Sequence, residues 1–359
     1  MSASFEINSA SGSYPVTIRP GALDAIIARG GDIVVLCDEY FTDHLKAAGV
    51  RTINLPALES TKSLDQMSAL ITALRESGVS RSTTVVAAGG GIVQDVACFI
   101  ASVYMRGVKW DYVPTTLLAM VDSCIGGKSS INVGANKNIV GTIHPPRAIE
   151  IDPALCATLA PDQMVAGLVE AAKICFARSN ETFGAYMALS PTIHSGPDDL
   201  TQLIGLSLAA KKWFVEVDEF DANERLLLNY GHTFGHAIES ASKFRISHGV
   251  AVGLGIIAAG TMGRRLGRSY AAGSLPVAME GHIDDLLRQV PDLRDAVAEM
   301  KPDDLITAFH ADKKHTLDRF AVVVALEGGG VERIMIPRDT DAETNLRAAF
   351  NDMTERYAA

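Results

Sequence analysis

Two continuous apolar runs constrain the fold more than any other feature of this sequence. They are Asp32–Cys37 (DIVVLC) and Thr83–Ala88 (TTVVAA). Runs that are apolar throughout, rather than at alternate positions, are typical of strands buried on both faces of a parallel sheet. Helical patterns follow at Tyr40–Ala48, Leu64–Ser77 and Ile92–Tyr104. Strands that alternate with helices predict a doubly wound α/β sheet, which binds nucleotides at the carboxyl ends of its strands.

The two halves of the chain have different patterns. The first half contains two more predicted strands, Thr52–Leu55 and Asp111–Thr116, whereas almost everything after Ala154 has helical periodicity. The elements predicted there are helices at Asp162–Phe176, Leu200–Val217, Leu226–Ser242, Val250–Gly267, Glu280–Gln289 and Pro302–Phe309, and a strand at Phe320–Ala325. A length of 359 residues suits two domains. We therefore predict an α/β domain over residues 1–153 and a mostly helical domain over residues 154–359.

Charge and cysteine content narrow the class of protein. The formal net charge of −10 argues against a nucleic-acid-binding surface, so local clusters of Lys and Arg become candidate sites for small anions. The five cysteines have no CxxC spacing and predict reduced, buried thiols in a cytoplasmic protein. The N-terminus has no signal-peptide core, and the most apolar segment, Val250–Met262, is too short to span a membrane.

Three glycines, Gly89, Gly90 and Gly91, join the second apolar run to a helix. Such a turn lets a diphosphate approach the backbone N–H groups at the helix N-terminus. A tight turn with no ligand would have the same sequence, and the standard GxGxxG fingerprint is absent. Asp38 ends the first apolar run, where it could accept a hydrogen bond from a ribose hydroxyl or cap the following helix.

The least regular region of the first half is residues 122–138, DSCIGGKSSINVGANKN. We predict a long loop, and long loops inside a domain are usually functional. Its two lysines and its asparagines, among three glycines, suit a phosphate or carboxylate pocket. A solvated surface loop is the alternative.

The stretch Arg225–His248 contains three of the chain's nine histidines. His232 and His236 are four residues apart, so a helix would place them on one face, with Asn229 and Arg225 extending that face. Two such histidines and a later third ligand are a common zinc arrangement, although these histidines could also be hydrogen-bonded core or surface residues. A carboxylate ligand is missing from the stretch. Glu170 is the candidate, because it lies in an apolar run where an unpaired carboxylate would be costly; a surface pair with Lys173 is the alternative.

Several motifs of the sequence occur together in a characteristic order. They are GGGIVQD (89–95), YMRG (104–107), VPTTLLAMVDSCIGGKSSIN (113–132), KN (137–138), GLVEAAK (167–173), RLLLNYGHTFGHAIE (225–239), SHG (247–249) and DKK (312–314). In these motifs the chain resembles the dehydroquinate synthases and their relatives, the sugar-phosphate cyclases. The resemblance runs from about Tyr14 to the C-terminus.

The resemblance implies an N-terminal NAD-binding domain with a non-standard Rossmann-like parallel sheet, a mostly α-helical C-terminal domain, an active site between them, and a homodimer. It implies that Glu170, His232 and His248 hold Zn²⁺, for which Co²⁺ can substitute, whereas His236 contacts substrate phosphate. The residues implied to contact NAD are Asp38, Glu59, Lys62, Gly89, Gly90, Gly91, Asp95, Thr115, Thr116, Asp122, Lys128, Lys137 and Thr158. Those implied to contact substrate are Arg106, Asp122, Lys128, Asn138, Lys173, Lys211, Arg225, Asn229, His236 and one of Lys313 and Lys314.

The implied reaction converts 3-deoxy-D-arabino-heptulosonate 7-phosphate to 3-dehydroquinate and phosphate in the shikimate pathway. The metal acidifies a substrate hydroxyl, NAD⁺ takes a hydride, phosphate is eliminated, the hydride returns, and an intramolecular aldol closes the ring. NAD is therefore not consumed. Lys and Arg are needed because the substrate carries two anionic groups and passes through an enolate.

Some positions depart from the family's usual pattern. Ser129-Ser130 stands where Thr-Gly or Thr-Ala is usual, residues 133–136 read VGAN in place of a sequence such as HPLG, Gln94 replaces a Gly, and Val250 stands where Glu is common. These departures leave a second interpretation open. The chain would then be another sugar-phosphate cyclase, which acts on an amino analogue of the heptulosonate substrate or on sedoheptulose 7-phosphate. The resemblance assigns the substrate carboxylate to Lys211, Arg225 and Asn229, and their retention favours the dehydroquinate reaction. A metal- and NAD-dependent polyol dehydrogenase, or a non-catalytic relative, is a further alternative.

Overall fold

The apolar runs of the first half form strands of one sheet, as their hydrophobicity on both faces predicts. Every residue of Thr84–Gly89 is buried. The computed structural model describes residues 3–134 and 136–358. Its strands are β1 (Ala3–Ser9), β2 (Gly12–Ile18), β3 (Ile33–Asp38), β4 (Thr52–Leu55), β5 (Thr84–Gly89), β6 (Lys109–Pro114), β7 (Ile131–Val133), β8 (Asn136–Val140), β9 (Ile149–Ile151), β10 (Arg319–Ala325) and β11 (Val331–Pro337).

The main sheet has seven strands in the order β1-β2-β9-β6-β5-β3-β4. The β1–β2 pair is antiparallel, and the other neighbours are parallel. In the register of the central strands Cys37 lies opposite Ala88, and Gly89 lies opposite Pro114. The carboxyl ends of β3, β5 and β6 therefore meet at one edge, which confirms the predicted α/β class.

Helices connect these strands and make up most of the rest of the chain. They are α1 (Ala22–Arg29), α2 (Thr42–Ala47), α3 (Leu64–Glu76), α4 (Gly91–Val103), α5 (Pro161–Arg178), α6 (Asn180–Ala188), α7 (Pro197–Val217), α8 (His232–Ala241), α9 (His248–Arg265), α10 (Leu275–Leu287), α11 (Leu293–Ala298), α12 (Pro302–His310) and α13 (Thr340–Ala358). Helix α9 is buried along almost its whole length, since α5, α8, α10 and α13 all pack against it. No helix in the described part of the chain is long and apolar enough to cross a membrane.

The chain forms two compact units. One comprises residues up to Thr158 together with Gly196–Leu208, and the other comprises Leu159–Ser195 and the residues from Ala209 onward. The first contains the seven-stranded sheet, and the second contains α5, α8, α9 and the β10–β11 hairpin. The predicted domain boundary at residue 153 stays a prediction.

Two predicted elements are wrong in part, and one strand was not predicted. The segment 122–138 is not one loop, since β7 and β8 pair as an antiparallel hairpin within it; Ala135, in the VGAN departure, lies outside the described residues. The predicted helix Leu226–Ser242 is a 3₁₀ turn, Glu224–Asn229, followed by α8. Gly231 separates the two at φ 77°, a left-handed conformation that few other residues adopt. The second half also contains β11, which sequence patterning did not predict.

All five cysteines are buried, and none of them forms a disulfide in the described part of the chain. Burial raises the pKa of the thiols of Cys98, Cys156 and Cys175 to about 12, so these thiols stay protonated and unreactive. The prediction of buried thiols is confirmed for the residues that the structure describes, and their reduced state stays a prediction.

Candidate active site

Three helices bring one carboxylate and two imidazoles together. Glu170 lies in the middle of α5 and is fully buried, while His232 and His248 are the first residues of α8 and α9. Nε2 of His232 is 3.6 Å and Nε2 of His248 is 3.9 Å from Oε1 of Glu170. The other carboxylate oxygen forms an ion pair with Lys173, which is also buried. The surface pair considered as an alternative is therefore wrong, because both side chains are inside the protein.

Close helix packing makes this convergence possible. A Cβ atom on Gly249 would lie 2.6 Å from the backbone of Ala166, so α9 can approach α5 only because residue 249 has no side chain. On the other side of α9, a Cβ on Gly255 would collide with the carbonyl oxygen of Gly231, just before α8. The three helices are therefore held near backbone contact around Glu170.

Each imidazole has an acceptor on the side away from Glu170. Nδ1 of His248 is 2.9 Å from Oε2 of Glu239, and Nδ1 of His232 is 3.4 Å from the carbonyl oxygen of Tyr230. With Nδ1 as the donor, each ring turns the lone pair of Nε2 toward the carboxylate of Glu170. Burial and the neighbouring cation Lys173 hold the pKa of His232 well below its usual value, so this ring stays neutral. Burial also opposes the charge on His248, but Glu239 outweighs it and raises the pKa of that ring.

The donor set fits a zinc-type ion. Two imidazole nitrogens and a carboxylate oxygen are common Zn²⁺ ligands, and tetrahedral bonds of about 2.0–2.1 Å place ligand atoms roughly 3.3 Å apart. The observed separations of 3.6 and 3.9 Å are slightly longer, which small rotations of the side chains can correct. A second set, His236, Glu239 and His248, also lies within ligand distance, and it shares His248 with the first.

His236 belongs to a different cluster from the one that its spacing suggested. Its Nδ1 is 3.0 Å from Oδ2 of Asp312 and 3.2 Å from Nζ of Lys314. Burial favours a neutral Asp312, but the hydrogen bond from His236 and the charge of Lys314 outweigh it, and the pKa of Asp312 is held far below its usual value. Lys314 lies beside His236, whereas Lys313 is exposed. The structure thus separates the two lysines that the sequence could not distinguish.

Arg225 and Asn229 lie on the 3₁₀ turn before α8, so they do not extend the histidine face of that helix. Arg225 is buried, and its guanidinium donates to the carbonyl oxygen of Glu219 at 2.7 Å. The Asp218 carboxylate fixes the loop by accepting from the backbone N–H groups of Ala222, Asn223 and Arg225. Lys211 is buried on α7.

Several residues implied to bind NAD lie at the carboxyl edge of the sheet. Asp38 ends β3 and accepts from the N–H of Tyr40, so it caps the turn that follows. The glycines lie between β5 and α4, and a Cβ on Gly90 would be 2.9 Å from the side chain of Thr116. Close packing therefore requires glycine at position 90, just before α4. The first N–H groups of a helix have no partners within the helix. Thr115 follows β6 and is buried.

A second group of these residues forms a connected network around the β7–β8 hairpin. Nζ of Lys62 lies 2.6 Å from Oδ2 of Asp95, and burial raises the pKa of Asp95 to about 6 although the Lys62 charge opposes this shift. Asn132 donates to Glu59 at 2.8 Å and accepts from the backbone N–H of Asn138 at 2.9 Å. Lys137 reaches Glu59 at 3.5 Å.

Most of the remaining predicted residues lie on turns. Asp122 is in a π-helical turn, Ala119–Ser123, and Gln94 exchanges two 2.7 Å hydrogen bonds with Ser123 in that turn. Arg106 is exposed and left-handed, at φ 66°. Lys128 pairs with Ile143 in a β-bridge, and Thr158 donates to the carbonyl oxygen of Leu155.

Sequence reasoning did not select Glu239 or Asp312 as site residues. Glu239 follows His232 by seven residues and so shares its face of α8, which is a signal that the sequence contains. Asp312 gives no such signal, because its partner His236 lies 76 residues away in the chain. Asn132 is one of the asparagines of the predicted anion pocket, and the structure shows that it bridges Glu59 and the backbone of Asn138.

Comparison with known proteins places these observations in a family. The chain matches the family model for the N-terminal part of 3-dehydroquinate synthase over residues 52–166 and that for its C-terminal part over residues 167–315. It is 36% identical over 336 residues to 3-dehydroquinate synthase from Xanthomonas oryzae pv. oryzae, covering 87% of this chain and 89% of the relative. A 3-dehydroquinate synthase from Corynebacterium jeikeium is 35% identical over 308 residues, covering 85% of this chain and 81% of the relative.

Solved structures share the fold at lower identity. A 2-deoxy-scyllo-inosose synthase complexed with carbaglucose-6-phosphate, NAD⁺ and Co²⁺ superposes with a TM-score of 0.83 at 22% identity, over 98% of this chain and 100% of that one. The 2-epi-5-epi-valiolone synthase from Streptomyces hygroscopicus, with NAD⁺ and Zn²⁺ bound, gives a TM-score of 0.77 at 23% identity, over 96% of this chain and 97% of that one. At these identities the likeness shows the fold.

Proposed function

The chain belongs to the 3-dehydroquinate synthase family, and from that membership we propose which of its residues carry the reaction. The protein is an enzyme that converts 3-deoxy-D-arabino-heptulosonate 7-phosphate to 3-dehydroquinate and phosphate. The reaction forms a carbon ring, eliminates phosphate and belongs to the shikimate pathway of aromatic amino acid biosynthesis. NAD and a divalent metal ion are its cofactors.

We propose that Glu170, His232 and His248 hold the metal. The observation that carries this proposal is the convergence of Oε1 of Glu170 and the two Nε2 atoms from three separate helices. A carboxylate that is 0% exposed is costly unless cations surround it, and a divalent ion would add to the charge that Lys173 supplies. The neutral ring of His232 is the form that binds metal.

When bound, NAD supplies a reversible hydride acceptor and the metal supplies a Lewis acid. We propose that the carboxyl edge of the sheet, with Asp38 and the glycine turn Gly89–Gly91, holds the dinucleotide. The N–H groups at the start of α4 favour its diphosphate. The linked residues Glu59, Lys62, Asp95 and Lys137 would then fix the hairpin beside it.

The substrate has two anionic ends, and we propose separate cations for each. His236 and Lys314 bind the phosphate, because phosphate oxygens accept strong charge-assisted hydrogen bonds. Arg106, Lys128 and Asn138 are proposed as substrate contacts from the family resemblance. Asp312 keeps His236 and Lys314 together. Lys211, Arg225 and Asn229 bind the carboxylate.

Lys173 has a separate role in this proposal. Its ammonium group is buried beside the Glu170 carboxylate, so little water screens its charge. There it would stabilise negative charge that develops on a substrate oxygen, as a preorganised cation does in a dry site.

We also propose that the enzyme works in the cytoplasm as a homodimer. Its buried thiols suit a reducing compartment, and the family resemblance supports the dimer. Sedimentation velocity should give twice the chain mass, whereas a single species at the chain mass would refute the dimer.

The substitution Glu170→Gln tests the metal assignment, because it keeps the shape and removes the charge. We expect Zn²⁺ affinity and turnover each to fall by about 100-fold or more. Metal content after dialysis and initial rates of phosphate release would be measured together. The matched control is Glu181→Gln, at an exposed position on the next helix, which should leave both unchanged. Full metal content with near wild-type turnover in Glu170→Gln would refute the assignment.

A further inference from the structure

We propose that Glu239 is the positioning residue that orients His248 for the metal. The inference rests on the proposed metal centre of Glu170, His232 and His248, and it adds to that centre a residue that is not one of the three ligands. Glu239 is one of the polar residues that α8 turns to the same face, together with His232 and His236, since the three are spaced by four and three residues.

The geometry defines what Glu239 does to the ring. Its Oε2 lies 2.9 Å from Nδ1 of His248 and its side chain is only 15% exposed, so the hydrogen bond is partly shielded from water. An ionised carboxylate only accepts, and Nδ1 must therefore carry the proton. The lone pair of Nε2 is then available on the side that faces Glu170, 3.9 Å away.

His248 needs such a partner more than His232 does. The side chain of His248 is 40% exposed, whereas that of His232 is 15% exposed. The ring of His248 packs against those of His232 and His236 on one side, and the bond to Glu239 restricts its rotation on the other. A hydrogen bond to a carboxylate also makes an imidazole a stronger metal ligand than a hydrogen bond to a backbone carbonyl does. His232 has the weaker kind of acceptor, the carbonyl oxygen of Tyr230.

Glu239 could instead be a metal ligand, because it lies within ligand distance of His236 and His248. Two contacts favour the positioning role. Nδ1 of His248, the atom nearest to Glu239, is occupied by the hydrogen bond to it. Nδ1 of His236 is likewise engaged with Asp312 at 3.0 Å. A metal bound through Nδ1 of either ring would have to break one of these bonds.

The experiment compares metal binding by the full chain, prepared without metal, in four variants. These are Glu239→Ala, Glu239→Gln, His248→Ala and the control Glu343→Ala, which removes a 2.9 Å histidine–glutamate pair (with His310) at another place on the surface. Zn²⁺ affinity would be measured by competition with a chromophoric chelator, stoichiometry by metal analysis, and ligand geometry by the visible absorption of Co²⁺. Thermal unfolding of the metal-free proteins would report stability.

We expect one metal ion per chain in wild type and a 10- to 100-fold loss of Zn²⁺ affinity in Glu239→Ala. Glu239→Gln should lose less, because its amide oxygen can still accept from Nδ1 but has no charge. Both variants should change the Co²⁺ spectrum while Glu343→Ala does not. Because Gln keeps the shape of Glu, Glu239→Gln remains informative if Glu239→Ala fails to fold.

Other outcomes would overturn the inference in different ways. If the Glu239 variants bind Zn²⁺ like wild type while His248→Ala loses it, the positioning role is wrong and the metal centre stands. If wild type binds two ions and the Glu239 variants bind one with unchanged affinity, Glu239 is a ligand. If His248→Ala also binds normally, the proposed metal centre itself is wrong.

Discussion

Arg225 shows at the scale of single residues how the fold prepares a cation before any substrate arrives. Its side chain is only 8% exposed and is held by the carbonyl oxygen of Glu219 and by the carboxylate of Asp221 at 3.2 Å. A cation fixed in this way loses little side-chain entropy when it binds an anion. This arrangement suits the proposed role in binding the substrate carboxylate.

Arg225→Ala should weaken binding of the carboxylate-bearing substrate by about 10- to 100-fold, since a hydrogen bond to a charged group contributes about 1.5–3 kcal/mol. Binding of sedoheptulose 7-phosphate, which has no carboxylate, should change much less. Dissociation constants for the two sugar phosphates would be compared in both proteins, with Arg319→Ala at an exposed position as the control. Equal losses for both ligands would contradict the carboxylate role.

The sequence predicts some positions of single residues and misses others for a physical reason. The position of Glu170 in an apolar run indicates burial, because a lone carboxylate is costly there, and the structure places it at 0% exposure. The spacing of His232 and His236 suggests a shared role, yet Asp312 and Lys314 surround His236. Those partners come from a distant part of the chain, so local spacing could not reveal them.

Helix packing decides whether such residues meet, and Gly249 is the clearest case at the scale of elements. Gly249→Ala should force α9 away from α5, because its Cβ would lie 2.6 Å from the backbone of Ala166. We expect a loss of about 1–3 kcal/mol in the free energy of unfolding and weaker Zn²⁺ binding. Urea denaturation and metal competition would measure the two effects.

The matched control for that substitution is Gly281→Ala on α10, where a Cβ would have nothing within 4 Å. In an exposed helix interior this change should stabilise the protein by about 0.5–1 kcal/mol, because alanine loses less conformational entropy than glycine. If both substitutions stabilise the protein and leave metal affinity unchanged, α5 and α9 do not depend on backbone contact.

Asp284 ties α13 to α10 and gives the protein a defined acid sensitivity. Burial favours the neutral acid, but hydrogen bonds from Arg356, Tyr357 and Arg288 outweigh it and lower the pKa of Asp284 to about 2. A carboxyl whose pKa is lowered by folding stabilises the protein above its unfolded pKa. That stabilisation is lost as the pH falls through the folded value.

Asp284→Asn should therefore cost about 1 kcal/mol near neutral pH, after allowance for screening at this partly exposed site. The difference from wild type should shrink between about pH 4 and pH 2. Urea unfolding of both proteins across this range would measure it. A difference that stays constant down to pH 2 would show that the Asp284 charge does not stabilise the fold.

Sequence patterning succeeded best for elements whose burial is uniform. Strands β3 and β5 follow the predicted apolar runs closely, because strands covered on both faces are apolar at nearly every position. Strands β4 and β6 were also predicted, although the edge strand β4 is fully buried only at alternate positions and β6 begins at an exposed Lys109. The β7–β8 hairpin was missed because its strands are only three and five residues long and mix asparagine and lysine with isoleucine and valine. The start of α8 was missed because its left-handed Gly231 interrupts a stretch with helical periodicity.

At the scale of the whole molecule, an acidic protein has to bind an anionic sugar phosphate. The net charge of −10 gives no general attraction for such a substrate. Binding must therefore depend on local cations, and Lys173, Lys211 and Arg225 are buried while Lys314 is nearly so. Few water molecules screen charges in such positions, so each cation interacts more strongly than it would at the surface.

Cofactor use is also a property of the whole molecule, and it separates this family from dehydrogenases that share its fold. Returning the hydride to the substrate regenerates NAD⁺ in every turnover. A polyol dehydrogenase would instead accumulate NADH in proportion to product. The balance of products thus tests the reaction without reference to any single residue.

The most direct test supplies the purified protein with NAD⁺, Zn²⁺ or Co²⁺, and 3-deoxy-D-arabino-heptulosonate 7-phosphate. Phosphate, 3-dehydroquinate (through a coupled dehydratase) and NADH would be measured in the same reaction. We expect phosphate and 3-dehydroquinate in equal amounts with no net NADH. Phosphate release from sedoheptulose 7-phosphate but not from this substrate, or NADH that accumulates with turnover, would contradict the assignment.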